Sequence, residues 1–101
     1  MPSRRIPTYP LGELQRLVLA GQYVVTYTAL SGAAELEMDA GDIREAVLGL
    51  TVADFYKTME AEAIAGRWQD VYRPMYEGVW LYVKLQLSRD GRTVVIQFKR
   101  K

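Results

Sequence analysis

The sequence predicts a small α+β domain in which N-terminal helices pack on one face of a mostly antiparallel sheet. Apolar residues recur every three or four positions through the N-terminal half, and they alternate with polar residues in the C-terminal third. An Asp-Gly pair between two alternating runs favours a C-terminal β-hairpin. The chain has 101 residues, 50% of them hydrophobic, so we expect a single domain spanning 1–101.

The first helix is predicted by apolar residues spaced three or four positions apart between residues 11 and 18. Gly21 follows this run, where glycine commonly ends a helix in the left-handed conformation. The β-branched and aromatic run 23–25 then predicts a short strand. The next helix is expected to begin at Thr26 or Thr28, because threonine side chains can cap a helix N-terminus.

Two further helices are predicted from acidic capping residues. Asp39 or Asp42 can cap the first of them, whose apolar face follows directly. Thr51, with Asp54 three positions later, resembles a capping box and predicts a helix that carries Lys57. The N-terminal two thirds of the chain are therefore expected to be largely helical.

The C-terminal third predicts strands. Alternating apolar residues indicate strands over 79–87 and 93–99, and an earlier strand is expected over 67–73, ended by Pro74. Asp90-Gly91 lies between the two longer strands and favours a two-residue type I′ turn, in which both residues have positive φ. This C-terminal hairpin is the most specific structural prediction that the sequence makes.

A two-residue turn at Asp90-Gly91 fixes the register of the hairpin. Apolar residues meet on one face, in the pairs Leu87 with Val94, Leu85 with Ile96 and Val83 with Phe98. The other face pairs Tyr82 with Lys99 and Lys84 with Gln97. Because no carboxylate neutralises these lysines, this second face is expected to bind an anion.

The residue types of that face suit RNA cleavage without a metal ion. Lysine supplies a compact positive charge, arginine a bidentate fork for phosphate, and tyrosine a proton donor or a stacking surface. The 2′-hydroxyl of RNA can attack the neighbouring phosphate if a base, cations and an acid are provided. A lysine crowded by other cations is pushed toward its neutral form and can serve as the base. An ordinary solvated sheet surface has the same residue types, so the hairpin alone leaves both interpretations open.

The distribution of charge and the amino-acid composition bear on which ligand and which chemistry this face could support. The net charge is +1, but residues 30–66 carry two basic and eight acidic side chains, whereas residues 67–101 carry eight basic and three acidic ones. A basic C-terminal third favours a phosphate-bearing ligand, although two solvated faces of opposite sign would show the same asymmetry. The chain has no Cys and no His, which leaves acid–base chemistry to residues such as Lys and Tyr.

No stretch of sequence approaches the roughly 20 apolar residues of a membrane span, and the first nine residues lack the apolar run of a signal peptide. We therefore expect a soluble, cytoplasmic protein without a membrane partner. A small-anion or nucleotide-binding domain is a further possibility. It has no signature here, because neither GxGxxG nor GxxxxGK[ST] is present.

Four stretches resemble the MqsR family of toxins. They are DFYKTM at 54–59, WQDVYRP at 68–74, LYVKL at 81–85 and FKRK at 98–101. WQDVYRP is long enough to be specific, and the resemblance covers nearly the whole chain. It implies a RelE-like fold and the activity of that family: sequence-selective endoribonuclease cleavage of single-stranded mRNA by a type II toxin, with no cofactor and no metal.

The resemblance implies roles for particular residues. The residues proposed for catalysis in the family correspond to Lys57, Gln69, Tyr82 and Lys99 of this sequence. Lys57 and Lys99 are expected to stabilise charge on the phosphate, with either as the base, and Tyr82 to transfer a proton or stack on a nucleobase. Gln69 is expected to form hydrogen bonds. The substrate-binding residues are expected to be Arg73 and, more weakly, Lys84.

Two departures from the family pattern are expected to affect RNA affinity or sequence preference. Met75 stands where a family member has a basic residue, and the linker 60–66 is acidic because it contains Glu60 and Glu62.

The resemblance also implies a cognate antitoxin of the MqsA type, which carries its own zinc and a helix-turn-helix for DNA. This chain has no ligands for that zinc and is not expected to bind DNA directly. The alternative is a catalytically silent RNA-binding or antitoxin-binding module of the same fold.

Overall fold

The computed structural model describes residues 3–101 and has the α+β architecture that the sequence predicts. In chain order the elements are β1 (Ser3–Arg4), α1 (Leu11–Leu19), β2 (Tyr23–Val25), α2 (Tyr27–Ala34), α3 (Ala40–Leu48), a 3₁₀ turn (Val52–Asp54), β3 (Phe55–Glu60), β4 (Trp68–Tyr72), β5 (Met75–Tyr76), β6 (Val79–Leu87) and β7 (Thr93–Arg100). Six strands lie in the order β1-β3-β4-β6-β7-β2, and β5 pairs with β6. The sheet is antiparallel except where β2 joins β7. Within the described range, no helix is long and apolar enough to cross a membrane.

The hydrophobic core lies between the three helices and one face of the sheet. The helices contribute Leu14 and Val18 from α1, Ala29 and Ala33 from α2, and Ile43, Ala46 and Val47 from α3. The central strand β6 contributes Leu81, Val83 and Leu85, all fully buried. The prediction that the N-terminal helices pack on one face of the sheet is confirmed, and the opposite face of β6 is left for polar residues.

Helix boundaries follow the capping residues. Gly21, with φ of 78°, follows the C-terminus of α1. The Oγ1 of Thr26 accepts a hydrogen bond from the N–H of Ala29 and so caps α2. Asp39 caps α3, and the carboxylate of Asp42 accepts in return from the Asp39 N–H at 2.9 Å. These three predicted starts and stops are confirmed, with Thr26 and Asp39 as the caps.

The helix predicted after Thr51 is wrong. Thr51 and Asp54 do form a capping box, but the box starts only the 3₁₀ turn. The next six residues form β3, which pairs with β1 on one side and β4 on the other, so Lys57 lies on a strand. Aromatic and β-branched residues favour a strand here, and the buried Thr58 faces the core. Pairing with two neighbouring strands outweighs the local capping signal.

The hairpin between β6 and β7 differs from the prediction at its tip. The N–H of Ser88 donates to the carbonyl of Arg92 at 2.8 Å, and the N–H of Gly91 donates to the carbonyl of Ser88 at 3.1 Å. Gly91 has φ of 82°, whereas Asp90 is not among the positive-φ residues of the described chain. The loop therefore has three residues and a left-handed glycine, so the predicted two-residue turn is wrong.

A β-bulge further along the hairpin cancels this shift. The longer loop pairs Leu87 with Thr93 and Leu85 with Val95, so the predicted partners Val94 and Ile96 are wrong by one residue. The ladder then skips Ile96, as a bulge does. Beyond it the pairs are Lys84 with Gln97, Val83 with Phe98 and Tyr82 with Lys99, as predicted.

The buried Asp70 fastens the N-terminal segment to the sheet. Its carboxylate accepts hydrogen bonds from the N–H groups of Thr8, at 3.0 Å, and Tyr9, at 2.9 Å. The hydroxyl of Tyr9 in turn donates to the carbonyl of Trp68 at 2.6 Å. A buried carboxylate is stable only when such donors satisfy it, so this segment and β4 are held as one unit.

Gly32 sets the distance between α2 and β7. Strand β2 pairs only with the first three residues of β7, and α2 lies beside the remainder. A Cβ added at Gly32 would overlap the carbonyl oxygen of Phe98. Gly12 in α1, in contrast, has no heavy atom within 4 Å of an added Cβ.

We expect Gly32→Ala to lower the free energy of unfolding by about 1–3 kcal/mol, the usual cost of overpacking. Gly12→Ala is the matched control and should raise it by about 0.5–1 kcal/mol, because alanine is the better helix former. Urea denaturation followed by circular dichroism measures both. Equal stabilisation by the two substitutions would contradict the close packing at Gly32.

Candidate active site

The face of the sheet opposite the core brings the predicted catalytic residues together. Residues paired across adjacent strands point to the same face. Lys57 pairs with Val71, Val71 with Lys84, and Lys84 with Gln97, so one row crosses four strands. Tyr82 and its partner Lys99 lie beside this row. We call the set Lys57, Gln69, Tyr82, Lys84 and Lys99 the cationic face.

Gln69 joins this face from β4. It pairs with Met59 of β3, and its Nε2 donates a hydrogen bond to the Oε1 of Gln86 at 3.0 Å. Gln86 is 9% exposed, so the bond is formed at a largely buried position. Gln86 therefore holds the Gln69 amide in place.

Tyr82 occupies the centre of the cationic face. The Nζ atoms of Lys99 and Lys84 lie 5.1 and 5.9 Å from its ring centroid, and its hydroxyl lies 4.0 Å from the Sδ of Met59. Burial raises the pKa of Tyr82, and the neighbouring Tyr56 hydroxyl raises it further. The phenol therefore keeps its proton at neutral pH and is suited to donate one.

Lys84 is partly buried and lies near other charged side chains, and both features affect its pKa. Burial lowers the pKa of Lys84, and the ammonium groups of Lys99 and Lys57 lower it further. The carboxylate of Glu62 opposes this shift. Lys84 thus loses its proton more readily than a solvated lysine, as a general base must.

The other two lysines flank Lys84. Lys57 on β3 and Lys99 on β7 are separated by three strand spacings, roughly 14 Å. Lys84 lies on β6 between them. A phosphate bound near Lys84 and Tyr82 could therefore be approached by either ammonium group from opposite sides.

Arg73 is placed at the border of the cationic face by Tyr56. Its guanidinium carbon lies 3.6 Å from the Tyr56 ring centroid, and the Nζ of Lys57 lies 5.3 Å from the same ring. Tyr56 sits where the β3–β4 register shifts between Phe55 and Lys57. Tyr56 is not among the predicted site residues, because the sequence favours a helix over this stretch. The signal that could have identified it is an aromatic residue directly before Lys57.

The acidic linker between β3 and β4 affects the electrostatics of the site. The carboxylate of Glu60 accepts a hydrogen bond from the N–H of Gly66 at 2.5 Å and so closes the linker on itself. The negative charge of Glu62 raises the pKa of Lys84 and so opposes the effect of burial. Within residues 3–101, no cluster of three or more acidic side chains is placed to hold a metal ion.

The fold and this site together describe a small α+β domain with helices on one face of the sheet and a cluster of lysine and tyrosine side chains on the other. Residues 6–100 match the family described as "Motility quorum-sensing regulator, toxin of MqsA". The chain is also 36% identical over 99 residues to the mRNA interferase toxin MqsR of Escherichia coli (strain K12). This alignment covers 98% of the present chain and 99% of the relative. The chain belongs to the MqsR toxin family, and the predicted family is confirmed.

Removing a positive or a negative neighbour should shift the pKa of Lys84 in opposite directions. We expect Lys99→Met to raise the pKa of Lys84, because one repelling cation is removed, and Glu62→Gln to lower it, because one attracting anion is removed. NMR titration of the lysine side chains measures both shifts. Arg92→Met, a change of the same charge near the hairpin turn, is the control. A Lys84 titration that ignores Lys99 would contradict the cluster.

Proposed function

We propose that this chain is the toxin of a type II toxin–antitoxin system and that it cleaves single-stranded mRNA at preferred sequences without a metal ion, so that translation and growth stop. The observation that carries the proposal is that Lys57, Lys84 and Lys99 lie on the same face of the sheet as Tyr82, with Lys84 and Lys99 beside its ring. Membership of the toxin family and the likeness to an mRNA interferase support the same activity.

The proposed reaction needs only the RNA and the protein. The 2′-oxygen attacks the adjacent phosphorus, and the new P–O bond forms as the bond to the 5′-oxygen of the next nucleotide breaks. The proton of the 2′-hydroxyl passes to a base, and an acid supplies a proton to the leaving 5′-oxygen. The products are a 2′,3′-cyclic phosphate and a 5′-hydroxyl, so no water is consumed.

Lys84 and Tyr82 fit the base and the acid. Lys84 has a lowered pKa and lies at the centre of the row of strands, whereas the raised pKa of Tyr82 keeps its hydroxyl protonated. This proposal moves the base from Lys57 or Lys99, where the sequence interpretation put it, to Lys84. Lys57 and Lys99 then stabilise the negative charge that develops on the phosphate.

Gln69 and Arg73 are proposed to bind and orient the RNA. Gln69 is held by Gln86, so that its amide presents a fixed hydrogen-bonding group to the substrate. The guanidinium carbon of Arg73 lies 3.6 Å from the centroid of the Tyr56 ring, and the guanidinium is proposed to bind a second phosphate in bidentate fashion.

The proposed partners follow from the family. We infer a cognate antitoxin of the MqsA type, whose zinc and helix-turn-helix belong to the antitoxin, and no direct binding of DNA by this chain. The site of action is the cytoplasm, where mRNA is translated, and one domain spanning 1–101 performs the reaction. Met75 and the acidic linker are proposed to tune RNA affinity.

Lys99→Met and Tyr82→Phe should each lower the rate of RNA cleavage by roughly 100-fold or more, because one removes a charge and the other a proton donor needed in the transition state. Gel analysis of a labelled mRNA measures the rate. Arg92→Met removes the same charge as Lys99→Met at the other end of β7 and should cleave normally.

Cleavage should persist in EDTA, and induction of the wild-type chain should arrest growth. The silent-module alternative predicts normal growth and intact mRNA with well-folded protein, and that outcome would refute the toxin proposal. Activity lost in EDTA and restored by magnesium would refute the metal-free mechanism alone.

A further inference from the structure

A cleft of about 260 Å³ adjoins the cationic face. It lies between α2 and the end of β7, and its lining includes Tyr27, Thr28, Ser31, Glu35, Gln97 and Lys99. Lys99 belongs to both surfaces, since it pairs with Tyr82 and also lines the cleft. Any RNA held by Lys99 therefore lies at the mouth of this cleft.

The walls of the cleft are fixed by the backbone. The N–H of Thr26 donates to the carbonyl of Val95 at 3.1 Å, and its Oγ1 donates to the carbonyl of Ile96 at 2.8 Å, so the start of α2 is tied to β7. Six residues later, Gly32 allows the helix to approach the backbone of Phe98 closely. The cleft is thus preformed, which lowers the entropic cost of binding.

Tyr27 is the most unusual residue of the cleft. Its side chain is 85% exposed, so its ring contributes little to the core. An exposed aromatic ring beside a phosphate-binding lysine is the arrangement with which proteins stack an unpaired RNA base. The hydroxyls of Thr28 and Ser31 and the amide of Gln97 can form hydrogen bonds with the edge of such a base.

The charge of the cleft favours a base over a second phosphate. Its two charged lining residues are Glu35 and Lys99, which carry opposite charges. A carboxylate repels phosphate but accepts hydrogen bonds from the amino groups of bases. The neutral part of a nucleotide therefore suits this cleft better than its phosphate does.

We propose that the cleft between α2 and β7 binds the base of a nucleotide next to the scissile phosphate, with Tyr27 as the stacking platform, and so contributes to the choice of cleavage sequence. The proposal rests on the RNA cleavage proposed above and adds a subsite to it. It predicts that Tyr27 acts through one base only.

The test uses an RNA oligonucleotide that contains a cleavage site mapped with the wild-type protein. Two further oligonucleotides carry an abasic ribose on the 5′ or the 3′ side of the scissile phosphate. We expect Tyr27→Ala to lower kcat/KM on the complete oligonucleotide roughly tenfold, the scale of one lost base stack. On one of the abasic oligonucleotides the same substitution should have no effect, because the base that it stacks is already gone.

Two control variants separate stacking from a general loss of structure. Tyr27→Phe keeps the ring and should keep the activity. Leu30→Ala changes another exposed α2 side chain, 41% exposed and outside the cleft lining, and should cleave all three oligonucleotides normally. Thermal unfolding of each variant checks that it is folded.

The outcomes distinguish the subsite from the activity on which it rests. A Tyr27→Ala defect of the same size on all three oligonucleotides, or no defect on any of them, overturns the base subsite and leaves the nuclease intact. Wild-type protein that cleaves no RNA overturns the proposed function, and the subsite falls with it.

Discussion

The register of strand β6 determines which residues lie on each face of the sheet. Its alternate residues Leu81, Val83 and Leu85 are fully buried against the helices, so Tyr82 and Lys84 must point to the opposite face. A shift of one residue in this strand would bury the lysine and expose the core. Burial of these apolar side chains fixes the register of β6. The residues of the cationic face are therefore positioned by packing on the other side of the sheet, and not by their weak interactions with one another. Packing on one side of the sheet thus sets the chemistry on the other.

Much of the fold could be predicted from the sequence because periodicity reports burial directly. The hairpin shows the limit of this reasoning. The predicted pairing of Tyr82 with Lys99 is confirmed, yet the three-residue loop and the bulge at Ile96 each shift the register by one residue and cancel. Alternation alone shows neither shift, since Val94 and Ile96 look as suited to the core as Val95 does. Strand β3 was missed because pairing with β1 and β4, which lie far away in sequence, decides its structure.

The candidate site was predictable to the extent that motifs mark it. Lys57, Gln69, Tyr82 and Lys99 come from the family resemblance, and the structure places all four on one face, although their roles stay a prediction. The tertiary surroundings of the site residues, which give each lysine a different environment, could not be predicted. The central position of Lys84, the place of Tyr56 beneath Arg73, and the cleft beside Tyr27 all depend on which strands and helices become neighbours. The chain has no histidine, and the base proposed in its place is a lysine whose pKa is lowered by burial and by like charge.

The pH dependence of single-turnover RNA cleavage tests most directly whether Lys84 is the base. The rate should rise with pH as Lys84 loses its proton, and the midpoint of this rise reports the pKa of Lys84. Glu62 raises that pKa, so Glu62→Gln should move the midpoint to lower pH while the protein stays active. Lys84 is not the base if Glu62→Gln leaves the midpoint in place, or if Lys84→Met cleaves RNA with the pH profile of the wild type.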